Sequence, residues 1–140
     1  MEINEMVKKA HENAVNHGFW NPPLDFGTAI ALIHSELSEA LEEERAGNPV
    51  HYYPCNAGGV CVDDRNEEGV TCGSRIYNPE HPDAPCSARS KKPEGVAVEL
   101  ADAVIRIADL CGHLGIDLDA AIRMKMAYNE GRPYKHGKQF

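Results

Sequence analysis

Apolar positions recur at helical spacing in four stretches of the chain and lose any period in the long stretch between the second and the third. In residues 3–17 they are Ile3, Met6, Val7, Ala10, Ala14 and Val15, which predicts a first helix with one buried face, stopped by Gly18. Phe19-Trp20-Asn21-Pro22-Pro23 cannot continue it, because proline has no amide hydrogen and disfavours helix in the residue before it. A second helix is predicted through residues 29–46, capped by Asp25 or Thr28 and ended by Gly47, with Ile30, Ile33, Leu37, Ala40 and Leu41 as its buried stripe. Pro93-Glu94 opens a third, where proline is tolerated and an acid favours the helix dipole; its stripe is Leu100, Ala103, Val104, Ile107 and Cys111, and it ends between residues 112 and 115. Asp117 caps a fourth helix, which Ala120, Ala121, Met124 and Tyr128 carry to residue 130.

Residues 48–93 behave differently. They are rich in Gly, Pro, Asn and Asp and hold Cys55, Cys61, Cys72 and Cys86, with short strands expected around Val60-Cys61-Val62 and Ser74-Arg75-Ile76-Tyr77. A loop this long is uncommon in a compact domain, so it is either a functional insertion or is stabilised by something other than a core. The pattern as a whole predicts an all-α, four-helix-bundle-like domain over residues 1–140, with 48–93 as a Cys-rich irregular insertion and 131–140 as a basic C-terminal tail.

Composition narrows the partners. A 140-residue chain that is 42% hydrophobic is long enough to bury a real core, and its net charge of −8 argues against a surface built to grip a nucleic-acid backbone. No apolar run approaches the ~18 residues of a membrane span, and the N-terminus carries no signal-peptide core, so a cytoplasmic protein is expected. An odd number of cysteines, five, then reads as thiols or metal ligands rather than a disulfide framework.

Charge placement brings in the chemistry. Glu99 and Asp102 are three residues apart, on one face of the third helix, and Glu36 and Glu39 repeat that spacing on the second. A single such pair is ordinary helix surface. Two pairs beside apolar stripes make an oxygen-only set suited to Mg²⁺ or Mn²⁺, because packed like charges repel unless a cation sits between them. Lys125, Asn129 and Arg132 concentrate positive charge and amide donors at the end of the fourth helix, where they complement the helix dipole or contact phosphoryl oxygens. Trp20 is a candidate for stacking on a nucleobase, with a place in a core or interface as the alternative; His34 and His113 read as structural histidines. Cys55, Cys61, Cys72 and Cys86 are candidate ligands of a structural Zn²⁺ that would order the insertion, although their spacing contains no C-x2-C knuckle; free thiols or disulfides are the alternatives.

The order Glu36-x-x-Glu39, Glu99-x-x-Asp102 and Lys125-x-x-Tyr128-Asn129-x-x-Arg132, followed by Pro133-Tyr134-Lys135-His136-Gly137-Lys138, resembles the MazG-like all-α nucleoside triphosphate pyrophosphatases over residues 3–46 and 94–138. Ser35 stands where many members carry a further acid, and the insertion stretches the distance between the acidic motifs. The resemblance implies a magnesium-dependent hydrolase that splits a (d)NTP into monophosphate and pyrophosphate and that completes its site as a homodimer or homotetramer. It further implies Glu36, Glu39, Glu99 and Asp102 as metal ligands and Lys125, Asn129 and Arg132 as phosphate contacts. Glu39 is the candidate general base, with Glu43 competing for that role. The alternative is a non-catalytic helical module that binds a nucleotide or a protein and carries a zinc-stabilised loop.

Overall fold

Glycines and short polar caps set the helix ends. A computed structural model describes residues 1–54, 60–61 and 92–134, which form α1 (Ile3–Asn16), α2 (Phe26–Arg45), a hairpin of β1 (Tyr53–Pro54) with β2 (Val60–Cys61), α3 (Val96–Leu114) and α4 (Leu118–Glu130). Asp25 caps α2, accepting from the Thr28 amide at 3.0 Å and the Thr28 hydroxyl at 2.6 Å, so the helix starts earlier than its apolar stripe suggests. Asp117 caps α4 by accepting from the Ala120 amide at 3.0 Å. Gly18, Gly47 and Gly115 follow α1, α2 and α3 with positive φ, in the place where a side chain is strained.

The start of α3 differs from the expectation. Pro93 and Glu94 lie outside the helix, because Glu94 exchanges backbone hydrogen bonds with Tyr52, at 2.9 and 3.0 Å, in an isolated bridge. Gly95 then turns the chain with φ 111° so close to the segment before Tyr52 that a Cβ would lie 2.6 Å from the Val50 carbonyl oxygen. Only glycine fits there.

The described residues gather into two compact units, one drawn from Met1–Ile30 and Val104–Phe140, the other from Ala31–Ala103. In the first, α1 packs against α4, and Val7, Ala108 and Cys111 form a buried cluster flanked by Met6, Ala10 and Leu118. Gly112 allows this approach, since a Cβ on it would meet the His11 Cβ at 2.5 Å. In the second unit Ile33, Ala40, Tyr52 and Ala103 are buried together with two acids, Glu36 and Glu99.

Those two acids mark a correction to the expected stripes. Ile33, Ala40, Ala103 and Cys111 of those stripes are buried, but Leu37, Leu41, Leu100, Val104 and Ile107 are 39–49% exposed; α2 buries Ala29, Ile33, Glu36 and Ala40, and α3 buries Glu99, Ala103, Ala108, Leu110 and Cys111. At ~100° per residue, the inward face of α2 is turned roughly 60° from the apolar stripe toward its glutamates. The face of α3 that carries Glu99 is likewise inward. Apolar spacing identifies a face that avoids water, and among the described residues Leu37, Leu41, Leu100, Val104 and Ile107 stay uncovered. Among the described residues, no helix is long and apolar enough to cross a membrane.

Candidate metal centre

Within the second unit, one carboxylate oxygen from each of Glu36, Glu99 and Asp102 lies within 4.8 Å of the others. Helical spacing puts Glu99 and Asp102 on one side of α3, and the inward turn of α2 brings Glu36 to them. Glu36 is 6% exposed, Glu99 4%, and Asp102 is half-buried. Two unit charges at ~4 Å repel by about 4 kcal/mol even at an effective dielectric of 20, so this grouping is a cost to the fold. Burial, followed by the charges of Glu39, Asp102, Glu36 and Glu94, pushes the Glu99 carboxyl above the usual range.

The donor chemistry fits a hard divalent ion. An oxygen-only donor set is what Mg²⁺ accepts alongside water and phosphate, and the three oxygens lie within 4.8 Å of one another. Glu39 is exposed and outside this group of three, yet close enough for its charge to act on Glu99. Glu43, by contrast, is occupied. Asn48 donates to its Oε2 at 2.9 Å, and the buried Tyr52 hydroxyl donates to the same oxygen at 3.2 Å. Asn48 also reaches the Tyr52 oxygen at 3.2 Å. Burial and the Glu43 charge raise the Tyr52 hydroxyl above its ordinary pKa, so it remains a donor.

Lys92 and Glu94 complete the surroundings; the sequence marks Glu94 only as an acid at a helix start and does not mark Lys92. Lys92 Nζ pairs with Glu94 Oε1 at 2.8 Å, and the charges of Glu99 and Glu39 also act on the ammonium; the Glu94 bond is the main reason its pKa is raised. The signal that could have found them is the glycine after Glu94, which fixes that segment against the chain before Tyr52.

The other predicted site residues belong to the first unit or fall outside the described chain. Lys125 Nζ and the Arg132 guanidinium approach the ring of Tyr128, at 4.9 and 5.7 Å from its centroid, and Asn129 lies one turn beyond Lys125 on α4. Trp20 stacks on His113 at 3.8 Å with the planes 11° apart, and its indole N–H donates to Asp109 at 2.9 Å. The same Asp109 oxygen is 2.8 Å from His11 Nδ1. One indole face is therefore taken up by the protein itself. Cys55, Cys72 and Cys86 lie outside the described residues, as does the expected strand at 74–77; Cys61 is described only as backbone in β2. An open depression of about 470 Å³ lined by Asn4, Lys8, His11, Glu12 and Asp117 includes none of the residues predicted to act on substrate.

No protein-family model, no curated protein and no solved structure matches this chain.

Proposed function

We propose that the chain is a magnesium-dependent nucleoside triphosphate pyrophosphohydrolase, which converts a (d)NTP and water into a (d)NMP and pyrophosphate. One observation carries this reading: α2 and α3 bury Glu36 and Glu99 and leave Leu37, Leu41, Leu100 and Val104 exposed. Burying carboxylates beside one another lowers stability, and a bound divalent cation would offset that cost. The order of the acidic and basic motifs in the sequence agrees with that chemistry.

In this reading Glu36, Glu99 and Asp102 hold the metal. Bound magnesium supplies neutralisation of phosphate oxygens and acidification of a water molecule. Glu39, which stands beside the group of three without belonging to it, takes the proton of the attacking water. Lys125, Asn129 and Arg132 are assigned to the phosphates by motif order alone. Glu39 is preferred to Glu43 as the base, because Asn48 and Tyr52 already donate to the Glu43 carboxylate. The exposed Leu37, Leu41, Leu100 and Val104 support a second copy of the chain as the cover, in a homodimer or homotetramer.

The test is pyrophosphate release from a panel of NTPs and dNTPs, with Mg²⁺ and with EDTA, by the wild type and by Asp102→Ala. Release that requires Mg²⁺ and falls to background in Asp102→Ala, with helix content retained, is expected. No release from any nucleotide would overturn the enzymatic reading in favour of a binding module.

A further inference from the structure

We propose that Tyr52 is a positioning residue for the metal centre, a strut that holds the Glu36 side of α2 toward the side of α3 bearing Glu99 and Asp102; the inference rests on the reading of these three acids as metal ligands. The side chain of Tyr52 grips α2. Its hydroxyl donates to Glu43 Oε2 at 3.2 Å and accepts from Asn48 Nδ2 at 3.2 Å, and Asn48 closes the triangle by donating to the same Glu43 oxygen at 2.9 Å. Glu43 follows Glu36 by seven residues, about two helical turns, so the gripped carboxylate is on the side of α2 that bears Glu36.

The backbone of Tyr52 grips the start of α3. Its amide donates to the Glu94 carbonyl at 3.0 Å, and the Glu94 amide donates to the Tyr52 carbonyl at 2.9 Å. Just before it, the Val50 carbonyl accepts from the Ala97 amide at 2.9 Å, across the close approach that Gly95 permits. The Gly95 carbonyl in turn accepts the Glu99 amide at 3.1 Å. One residue, 8% exposed, therefore touches the helix of Glu36 with its side chain and the entry to the helix of Glu99 and Asp102 with its backbone. The three acids repel one another, and the Glu99 carboxylate, 4% exposed, accepts no hydrogen bond from a described residue. A hydroxyl bonded to a carboxylate resists that repulsion and keeps the three oxygens within reach of one ion. Mg²⁺ demands near-ideal octahedral geometry, whereas Ca²⁺ accepts a looser set of oxygens, so fixed spacing matters more to the smaller ion.

Calorimetry with Mg²⁺ and with Ca²⁺ tests this on the full-length wild type, Tyr52→Phe, Glu43→Gln, Glu43→Ala and the Tyr52→Phe/Glu43→Ala double variant, with circular dichroism following the fold. Tyr52→Phe keeps the buried ring and removes the hydroxyl. It is expected to weaken Mg²⁺ binding by about tenfold, the loss of one hydrogen bond to a charged group, while Ca²⁺ affinity changes by less than about threefold. Glu43→Gln keeps an acceptor and removes the charge, and should stay within about threefold for both ions. Glu43→Ala should match Tyr52→Phe, and the double variant should be little worse than either, because both break the same strut. Mg²⁺ affinity of Tyr52→Phe within about twofold of a wild type that binds the ion would overturn the proposal and leave the metal centre standing. Equal losses for Mg²⁺ and Ca²⁺, or loss of helix content in Tyr52→Phe, would overturn it by making Tyr52 a general support of the fold. Glu43→Gln as damaging as Glu43→Ala would overturn it by assigning the effect to charge. A wild type that binds no Mg²⁺ would overturn both the strut and the metal centre.

Discussion

Asp109 and Glu99 lie on the same helix and have opposite surroundings. In the first unit Asp109 is met by the Trp20 indole N–H and by His11 Nδ1, each within 3 Å of one oxygen. In the second unit Glu99, the more buried of the two, is surrounded by the charges of Glu39, Asp102, Glu36 and Glu94, each of which makes its ionisation harder. Partners of the first kind stabilise a fold, because donors replace the water lost on burial. Neighbours of the second kind destabilise it, and they persist in a protein when a ligand supplies the missing charge. The same residue chemistry is therefore structural in one place and a candidate binding centre in the other.

The comparison breaks first on activity. Glu39→Gln should reduce turnover by about 10²–10⁴-fold, the usual contribution of a positioned base, whereas Glu43→Gln should stay within about threefold, because Asn48 and Tyr52 can still hold the amide. Steady-state pyrophosphate release measures both; equal losses would remove the distinction between the occupied and the available glutamate. On the structural side, Asp109→Ala leaves two half-buried donors without an acceptor and should cost about 2–3 kcal/mol in denaturant unfolding. Asp109→Asn keeps one oxygen for the indole and should cost about 1 kcal/mol. The emission of the single tryptophan should report both changes, and neither should alter the stabilisation produced by Mg²⁺.

Much of the architecture was legible in the sequence because it is local. Gly18, Gly47, Gly115 and Asp117 mark helix ends through their own backbone and side-chain chemistry, and each does so where expected. The acidic pairs were legible for the same reason, since spacing on one helix decides which side chains share a face. Which face turns inward was not. Leu37, Leu41, Leu100, Val104 and Ile107 form stripes that avoid water, and an apolar stripe does not say whether its cover comes from the same chain. The start of α3 was missed because Glu94 is claimed by Tyr52, a pairing across the insertion that leaves no periodic trace. Asp109 escaped notice for a similar reason: His11 and Trp20 reach it from the opposite end of the chain.

The most direct test of the claim that the second unit buries its acids for a metal is the thermal stability of Glu99→Gln against wild type, in EDTA and in Mg²⁺, as pH is varied. Folding raises the Glu99 pKa, so the folded chain holds its proton more firmly than the unfolded chain. The associated stability is present below the unfolded value, near pH 4.3, and is lost as pH rises through the folded value. In EDTA at neutral pH the variant, which carries no charge there, should melt higher by a few degrees, corresponding to about 1–2 kcal/mol, and its advantage should shrink as pH falls. Saturating Mg²⁺ should reverse the order, because the wild type gains a ligand that the variant holds poorly. A variant that melts lower than wild type in EDTA, or an order that Mg²⁺ does not change, would contradict the account.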